Sequence, residues 1–240
     1  MLRYMNPLEQ AITTYQMPET AKQLLHNHPS LNIAGPTGAG KGTMAQHLTQ
    51  TGGYVPVVSD TTRAPRVSGN GYEVNGVHYW FIDTTTALRK LDEGAFIEAK
   101  LVHGDTLYGT TIASYERVVE SGRTPILEID VQGMEELMIA APGFEAILLL
   151  PPSFDIWEQR LDGRGDMTLE QKIRRFETAL LEYNKPIENE NFFPVINTEV
   201  IDTAEIIKSG TYKDESYRQN ALALAVELRN ATQAFLDSHK

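Results

Sequence analysis

The sequence contains no cysteine, which excludes disulfide bonds, thiolate metal sites and cysteine nucleophiles. It also has no long apolar run: the most apolar stretch, Ala146 to Leu150, is followed by two prolines and is far too short to cross a bilayer. The first residues have no apolar stretch of the kind that signal peptides carry. We therefore expect a cytoplasmic protein with no membrane attachment.

Positive charge is scarce as well. The 240 residues carry 21 Lys and Arg against 32 Asp and Glu, a net charge of -11, so a surface that coats nucleic acid is not expected. An anionic ligand would need cations gathered at one place. With 41% hydrophobic and 22% charged residues, the composition is that of an ordinary folded protein. The length fits one large domain that carries small insertions.

Short apolar runs alternate with amphipathic stretches along the chain, which predicts a parallel α/β sheet with right-handed crossovers. The predicted strands are Leu31 to Ala34, Val55 to Ser59, Pro125 to Asp130, Ala146 to Leu150 and Val195 to Glu199. The predicted helices are Lys41 to Thr51, Thr111 to Ser121, Gln132 to Ala140, Ser153 to Leu161 and Thr168 to Tyr183.

Residues 61–110 interrupt this alternation. They predict strands at Val77 to Ile82 and Phe96 to His103 on either side of a helix near Thr86 to Glu93, which together form a small inserted α+β lobe. Residues 1–29 predict a helical N-terminal extension. Residues 206–240 predict a C-terminal helical extension, whose apolar stripe we expect to pack on its own domain. That stripe consists of Tyr217, Ala221, Leu224, Leu228, Ala231 and Phe235.

The clearest motif is a glycine-rich loop that follows the first predicted strand and opens a helix, where a phosphate-binding loop belongs. Its backbone N–H groups can surround phosphate oxygens, and Lys41 can reach the outer phosphates. Gly42 stands where a hydroxyl residue usually follows the lysine, which leaves Thr43 as the candidate Mg²⁺ ligand. The loop consists of Gly35, Pro36, Thr37, Gly38, Ala39, Gly40, Lys41, Gly42 and Thr43.

Two further groups of arginines suit anions. Arg63 and Arg66 lie close to Ser59 in SDTTRAPR. A guanidinium group binds phosphate in a bidentate manner, with two N–H groups donating to two oxygens. Taken alone, this cluster is equally compatible with a solvated loop. Arg160, Arg164, Arg174 and Arg175 lie in or near the segment Gly163-Arg164-Gly165, although a solvated helix face would also carry such charges, Arg174 above all.

Two acids lie in the predicted strand Leu127-Glu128-Ile129-Asp130. Because side chains alternate along a strand, Glu128 and Asp130 are expected on one face, with the two apolar residues on the other. Two acids close to phosphates suit base recognition and contacts to metal-bound water.

The motifs GPTGAGKGT, SDTTRAPR, NGVHYWF, FIEAKLVHGDTLYGT, ILEIDVQG, LPPS and RLDGRG occur in this order between Leu31 and Thr198. In this order the sequence resembles the guanylate kinases. The resemblance implies a P-loop nucleoside monophosphate kinase fold, a domain over residues 30–205 with its core at 30–60 and 111–205, a GMP-binding lobe at 61–110 and a helical lid at about 153–176.

The resemblance also implies roles for individual residues. The loop Gly35 to Thr43 and Asn197 would bind ATP, while Lys41, Arg63, Arg160, Arg164 and Arg175 would act on the transferring phosphoryl group. The GMP phosphate and guanine would be held by Ser59, Arg63, Arg66, Tyr79, Glu98, Tyr108, Gly109, Thr110, Glu128 and Asp130. Glu98 can accept both donors of the guanine Watson–Crick edge, and Thr110 can donate to guanine O6.

The activity so implied is ATP-dependent phosphorylation of GMP, with Mg²⁺ as cofactor, with dGMP left open as an acceptor, and with a monomer or homodimer as the active form. Two alternatives stay open. One is a kinase for another acceptor, such as a deoxynucleotide or a ribose bisphosphate, against which Glu98, Thr110 and Asp130 argue. The other is an inactive guanylate-kinase-like interaction module, in which residues such as Lys41 and Arg160 are commonly lost.

Overall fold

The structure, a computed structural model, describes residues 6–68, 71–102, 105–141, 143–163 and 167–239. The chain divides into two units. Unit 1 takes the described residues of Met1–Ser30, Val55–Pro125 and Ile139–Pro142, and unit 2 takes those of Leu31–Tyr54, Ile126–Met138 and Gly143–Lys240. Each unit is described by itself below.

A five-stranded sheet runs in the order β11-β10-β1-β9-β2. Its strands are β1 (Leu31–Ala34), β2 (Tyr54–Pro56), β9 (Thr124–Leu127), β10 (Ala146–Leu150) and β11 (Phe192–Ile196). β1 pairs in parallel with β9 and β10, and β10 pairs in parallel with β11. Every residue of β10 is buried, as expected for a parallel strand that is covered on both faces. The predicted parallel α/β sheet is confirmed.

Helices cover unit 2's part of that sheet. They are α3 (Lys41–Gln50), α6 (Val131–Ala140), α7 (Phe154–Asp162), α8 (Leu169–Glu188), α9 (Val200–Ser209) and α10 (Glu215–Ser238), with a 3-10 turn at Thr211–Lys213. Ser153 caps α7, and Thr168 forms a capping box with Gln171 at the start of α8. These polar caps explain why the sequence located both helix starts.

Two apolar clusters bury the two faces of β10, because successive side chains of a strand point to opposite sides. Leu148 packs with Trp157 and Phe176 in one cluster, and Leu149 packs with Met44 in the other. α10 joins the first cluster through Ala225, Leu228 and Leu236 and packs against α8 and β11. Leu224, Leu228 and Phe235 of the predicted stripe belong to this cluster, so the stripe packs on its own unit as predicted, together with Ala225 and Leu236, which the stripe did not include. The domain limits inferred from the sequence stay predictions.

Unit 1 contains a four-stranded sheet in the order β6-β3-β8-β7. Its strands are β3 (Asp60–Thr61), β6 (Trp80–Phe81), β7 (Phe96–Val102) and β8 (Thr106–Thr111). β4 (Val67–Ser68) and β5 (Gly71–Tyr72) pair antiparallel in a separate two-stranded sheet. Its helices are α1 (Pro7–Thr14), α2 (Glu19–Asn27), α4 (Thr84–Asp92) and α5 (Ile112–Glu120). The α+β character of the lobe agrees with the prediction.

Several strand limits differ from the prediction. β9 ends at Leu127 rather than Asp130, because its pairing with β1 ends there and the Asp130 carboxylate instead accepts a hydrogen bond from Gly133 N (2.9 Å) in the first turn of α6. β11 begins earlier than predicted, at Phe192. It includes Pro194, which is tolerated because β11 is an edge strand.

The predicted strand Val77 to Ile82 is shorter in the structure, where β6 covers only Trp80–Phe81. β2 ends at Pro56 instead of Ser59. The sequence does not predict β8. Threonines and a glycine dominate β8, so the sequence carries little apolar alternation there. None of the helices in the described ranges has the length and apolar character needed to cross a bilayer.

Candidate active site

The glycine-rich loop connects β1 to α3 in unit 2. Gly35, Gly38 and Gly40 all have positive φ angles, of 136°, 92° and 97°. A Cβ atom on Gly35 would lie 2.5 Å from the carbonyl oxygen of Leu149, and one on Gly40 would lie 2.3 Å from the Asn197 side chain. All three glycines are therefore favoured by their backbone conformation, and Gly35 is required also by its close approach to the Leu149 backbone.

Side chains from outside the loop hold two of its carbonyl groups. Trp157 Nε1 donates to Thr37 O (2.8 Å), and Asn197 Nδ2 donates to Ala39 O (2.7 Å). The Lys41 ammonium donates to Gly35 O and, at 3.4 Å, to Pro36 O. These bonds fix the curvature of the loop, which is the arrangement that lets backbone N–H groups receive phosphate oxygens.

A pocket of about 340 Å³ opens beside this loop in unit 2. It is lined by Gly38, Gly40, Thr43, Arg160, Asn197, Thr198 and Val200. Three residues proposed from separate motifs, namely Thr43, Arg160 and Asn197, thus come together. Arg175 is half-buried on α8, and Arg164 lies outside the described residues, together with part of the expected lid.

Two acids predicted to share a strand face do not lie in a strand. Glu128 and Asp130 follow the end of β9, so the predicted strand is wrong at these positions, and Asp130 directly precedes α6. Both residues are nevertheless exposed while Ile129 packs against the core, as the predicted alternation requires. Glu128 as a residue is exposed, but protein atoms surround its carboxyl group, and this desolvation raises its pKa. The Lys41 ammonium opposes that rise. Glu128 therefore belongs to the electrostatic surroundings of the phosphate loop.

Sequence reasoning missed Glu182 on α8, which is only 9% exposed. Burial raises its pKa to about 7; the Lys41 ammonium acts against that rise and the Asp130 carboxylate adds to it. A signal was available in the sequence, because Glu182 falls on the same helical face as the buried residues Ala179, Tyr183 and Pro186. An acid on an apolar stripe indicates a buried charge.

In unit 1, Arg63 is held by several partners. Glu73 accepts two hydrogen bonds from its guanidinium (2.5 and 2.7 Å), Tyr108 accepts one from Nε (2.8 Å), and the guanidinium carbon lies 4.9 Å from the centre of the Tyr79 ring. Hydrogen bonding to Arg63 lowers the pKa of Glu73 to about 2. Glu73 also accepts from the Arg66 backbone N–H (2.8 Å), so it organises the arginine loop. The sequence did not single out Glu73.

The residues expected to bind guanine lie on neighbouring strands of the unit 1 sheet. Glu98 of β7 pairs with Thr110 of β8, and the Thr110 hydroxyl lies 3.2 Å from the Ser59 hydroxyl. A Cβ on Gly109 would lie 2.8 Å from Glu98 O, so glycine permits this close strand contact. Next to Ser59, the buried Asp60 pairs with Lys90 of α4 (2.5 Å), which ties β3 to that helix.

The structure thus separates the predicted GMP residues into two groups. Ser59, Arg63, Arg66, Tyr79, Glu98, Tyr108, Gly109 and Thr110 belong to unit 1, whereas Glu128 and Asp130 belong to unit 2. Among the described residues, no group of three or more His, Asp or Glu side chains could hold a metal ion.

A parallel sheet with a glycine-rich phosphate loop after β1, together with a lobe that presents arginines and hydroxyls, defines a P-loop nucleoside monophosphate kinase. The guanylate kinase family model matches residues 28–209. The chain belongs to the guanylate kinase family. It is an enzyme of that family, whose reaction is ATP-dependent phosphorylation of GMP.

Individual relatives agree with this assignment. The chain is 40% identical to a guanylate kinase of Bifidobacterium longum over 177 residues, covering 72% of this chain and 87% of the relative. It is 38% identical to a guanylate kinase of Leifsonia xyli, covering 72% of this chain and 66% of the relative. The crystal structure of guanylate kinase from Anaplasma phagocytophilum matches with a TM-score of 0.56 and 26% identity, over 84% of this chain and 95% of that one.

Proposed function

We propose that unit 2 binds ATP through its phosphate loop and that unit 1 binds GMP, so that the γ-phosphoryl group passes from ATP to the GMP phosphate. The observation that carries this proposal is the unit 1 sheet. The strands β7 and β8 and the segments beside them hold two sets of residues in one unit. Ser59, Arg63 and Tyr108 suit the GMP phosphate, and Glu98 and Thr110 suit the guanine base.

Guanine selection would rest on Glu98 and Thr110. The Glu98 carboxylate accepts from guanine N1–H and the N2 amino group, a pair of donors that adenine does not offer. The Thr110 hydroxyl, held close to Ser59, donates to guanine O6. Because Glu98 is paired with Thr110 across the two strands, both groups have a fixed spacing.

Phosphate alignment would use the cations of both units. Lys41 would contact the outer phosphates of ATP, and Arg160 in the pocket wall, with Arg164 and Arg175, would neutralise charge as the phosphoryl group moves. The GMP phosphate is already an anionic nucleophile, so no general base is needed. Arg63 and Arg66 would hold that phosphate while Tyr79 and Tyr108 fix the position of Arg63.

The residues present fit a Mg²⁺ ion. Thr43 is exposed and lines the pocket beside the phosphate loop, and a cation held mostly by phosphate oxygens and water needs few protein ligands. When bound, Mg²⁺ would neutralise the ATP phosphates. Thr43 would supply the hydroxyl that the residue after the lysine usually provides, because Gly42 has no side chain.

The absence of cysteine supports a cytoplasmic location, and the net charge of -11 argues against nucleic acid as a partner. The small-molecule partners are ATP and GMP, and the active form would be a monomer or a homodimer.

The test is coupled ADP release with ATP and Mg²⁺ against GMP, dGMP, AMP, CMP, UMP and dTMP. We expect fast turnover with GMP and dGMP alone, and Lys41→Ala should reduce it by a factor of about 100 or more while the circular dichroism spectrum stays unchanged. Turnover with another acceptor would contradict the guanine assignment. No turnover in folded protein would favour the interaction-module alternative.

A further inference from the structure

Tyr15, the residue that ends α1, is bonded to both backbone groups of one residue of β7. Phe96 N–H donates to the Tyr15 hydroxyl (3.0 Å), and that hydroxyl donates to Phe96 O (2.5 Å). The Tyr15 ring also packs edge-on against the Phe96 ring, with centroids 6.3 Å apart. A single side chain therefore replaces the neighbouring strand that Phe96 lacks on its outer side.

That outer side is the open edge of the sheet, because β7 is the last strand in the order β6-β3-β8-β7. The pairing of β7 with β8 is irregular at this point. Phe96 is opposite Thr111 and Glu98 is opposite Thr110, so two steps along β7 match one step along β8. Such a bulge bends its strand and changes the direction of the side chains beside it. Glu98 is the residue that follows the bulge.

The position of Tyr15 is itself well defined. Asn6 and Glu9 form a capping box that begins α1, and Leu8 of α1 is buried in a cluster with Leu91, Phe96 and Leu107. Burial raises the pKa of Tyr15, the bond to Phe96 lowers it, and the negative charge of Glu98 adds to the rise. The hydroxyl thus lies within the electrostatic influence of the Glu98 carboxylate. Tyr15 lies before residue 28, where the family match begins.

We infer that Tyr15 is a positioning residue for guanine selection: its hydroxyl fixes the bulge at Phe96 and thereby directs the Glu98 carboxylate at the base. This inference rests on the proposed role of Glu98. It assigns a specificity function to a segment outside the family core, and it explains why a phenol with both a donor and an acceptor occupies this site.

The experiment uses Tyr15→Phe in the full chain, with kcat and KM measured for GMP, AMP and ATP. The ring remains, but the two backbone bonds are lost. We expect KM for GMP to rise about fivefold, the effect of a misdirected Glu98 carboxylate that loses one of its two hydrogen bonds to guanine. The ratio of kcat/KM for GMP to that for AMP should fall to the same extent, while kcat with GMP and KM for ATP change less than about twofold.

Tyr115→Phe is the matched control. Its hydroxyl donates to His28 O (2.5 Å) in the same unit, and this bond does not involve β7, so the GMP to AMP ratio should be unchanged. Equal effects of Tyr15→Phe and Tyr115→Phe on that ratio would overturn the inference. A lower melting temperature of Tyr15→Phe without a change in the ratio would overturn it too, since that result shows a structural role alone.

Glu98→Gln separates the inference from the proposed function. If Tyr15 acts through Glu98, the double variant Tyr15→Phe/Glu98→Gln should have the same GMP to AMP ratio as Glu98→Gln alone. A low ratio in Glu98→Gln with a normal ratio in Tyr15→Phe refutes only the role of Tyr15. A normal ratio in Glu98→Gln refutes the assigned base site and the inference with it.

Discussion

At the scale of single residues, the two arginines of the SDTTRAPR motif differ in a way their spacing does not show. Arg63 already receives the Glu73 carboxylate in its guanidinium fork and contacts Tyr108 and Tyr79. The Arg66 side chain is exposed and forms no hydrogen bond with another described residue, while its backbone N–H is bonded to Glu73. The GMP phosphate should therefore meet a fixed cation at Arg63 and an adjustable one at Arg66.

Two glycines seven residues apart provide a matched test of the phosphate loop. Gly35→Ala should lower the free energy of unfolding by about 2 kcal/mol or more, because φ is 136° and the new Cβ would meet Leu149 O at 2.5 Å. Gly42→Ala should leave it unchanged or raise it by up to about 1 kcal/mol, since Gly42 is helical and no atom lies within 4 Å of its Cβ position. Urea unfolding measures both, and equal losses would contradict the required conformation.

At the scale of secondary-structure elements, α8 carries one buried acid, Glu182, whose pKa is raised to about 7. The native state then holds its proton up to a higher pH than the unfolded state does. The contribution of protonated Glu182 to the free energy of unfolding is therefore present in full below about pH 4.5 and is lost as the pH rises through about 7.

Glu182→Gln should remove that pH dependence, because the amide resembles the protonated acid. The free energy of unfolding of the variant should exceed that of the wild type by up to about 3 kcal/mol at pH 8 and by little at pH 4.5. Urea unfolding at several pH values measures the difference. Glu177→Gln, on an exposed position of α8, is the control, and an equal pH dependence in both variants would contradict the burial of Glu182.

The second element-scale prediction concerns α10, which lies beyond the family match. Leu228 is fully buried, so Leu228→Ala should lower the free energy of unfolding by about 2–5 kcal/mol. Leu181→Ala on α8, where the leucine is 63% exposed, should change it by less than about 0.5 kcal/mol. Equal effects in chemical denaturation would mean that α10 contributes no core to unit 2.

At the scale of the whole molecule, each substrate is assigned to its own unit, and hydrogen exchange can test this. GMP alone should slow exchange at residues 59–66 and 96–111, the segments that hold Ser59, Arg63, Glu98 and Thr110. A non-hydrolysable ATP analogue with Mg²⁺ should slow it at residues 35–43 instead. Protection of residues 35–43 as the main effect of GMP would contradict the assignment.

The α/β class and the phosphate loop can be predicted without coordinates, because both depend on local features of the sequence. Ser153 and Thr168 mark helix starts through bonds to residues three positions away, and the loop glycines have backbone angles that other residues rarely adopt. The order of motifs determined the family, which the comparisons confirmed.

Features that depend on residues distant in the chain emerge only from the folded arrangement. β9 ends at Leu127 because its pairing with β1 ends there, and a single strand pattern contains no information about the length of its neighbour. Glu73 binds Arg63 ten residues away, and Tyr15 binds Phe96 across 81 residues. Hydrogen bonds and burial act through space, so the partner of an arginine or of a strand edge becomes visible only when the chain has folded.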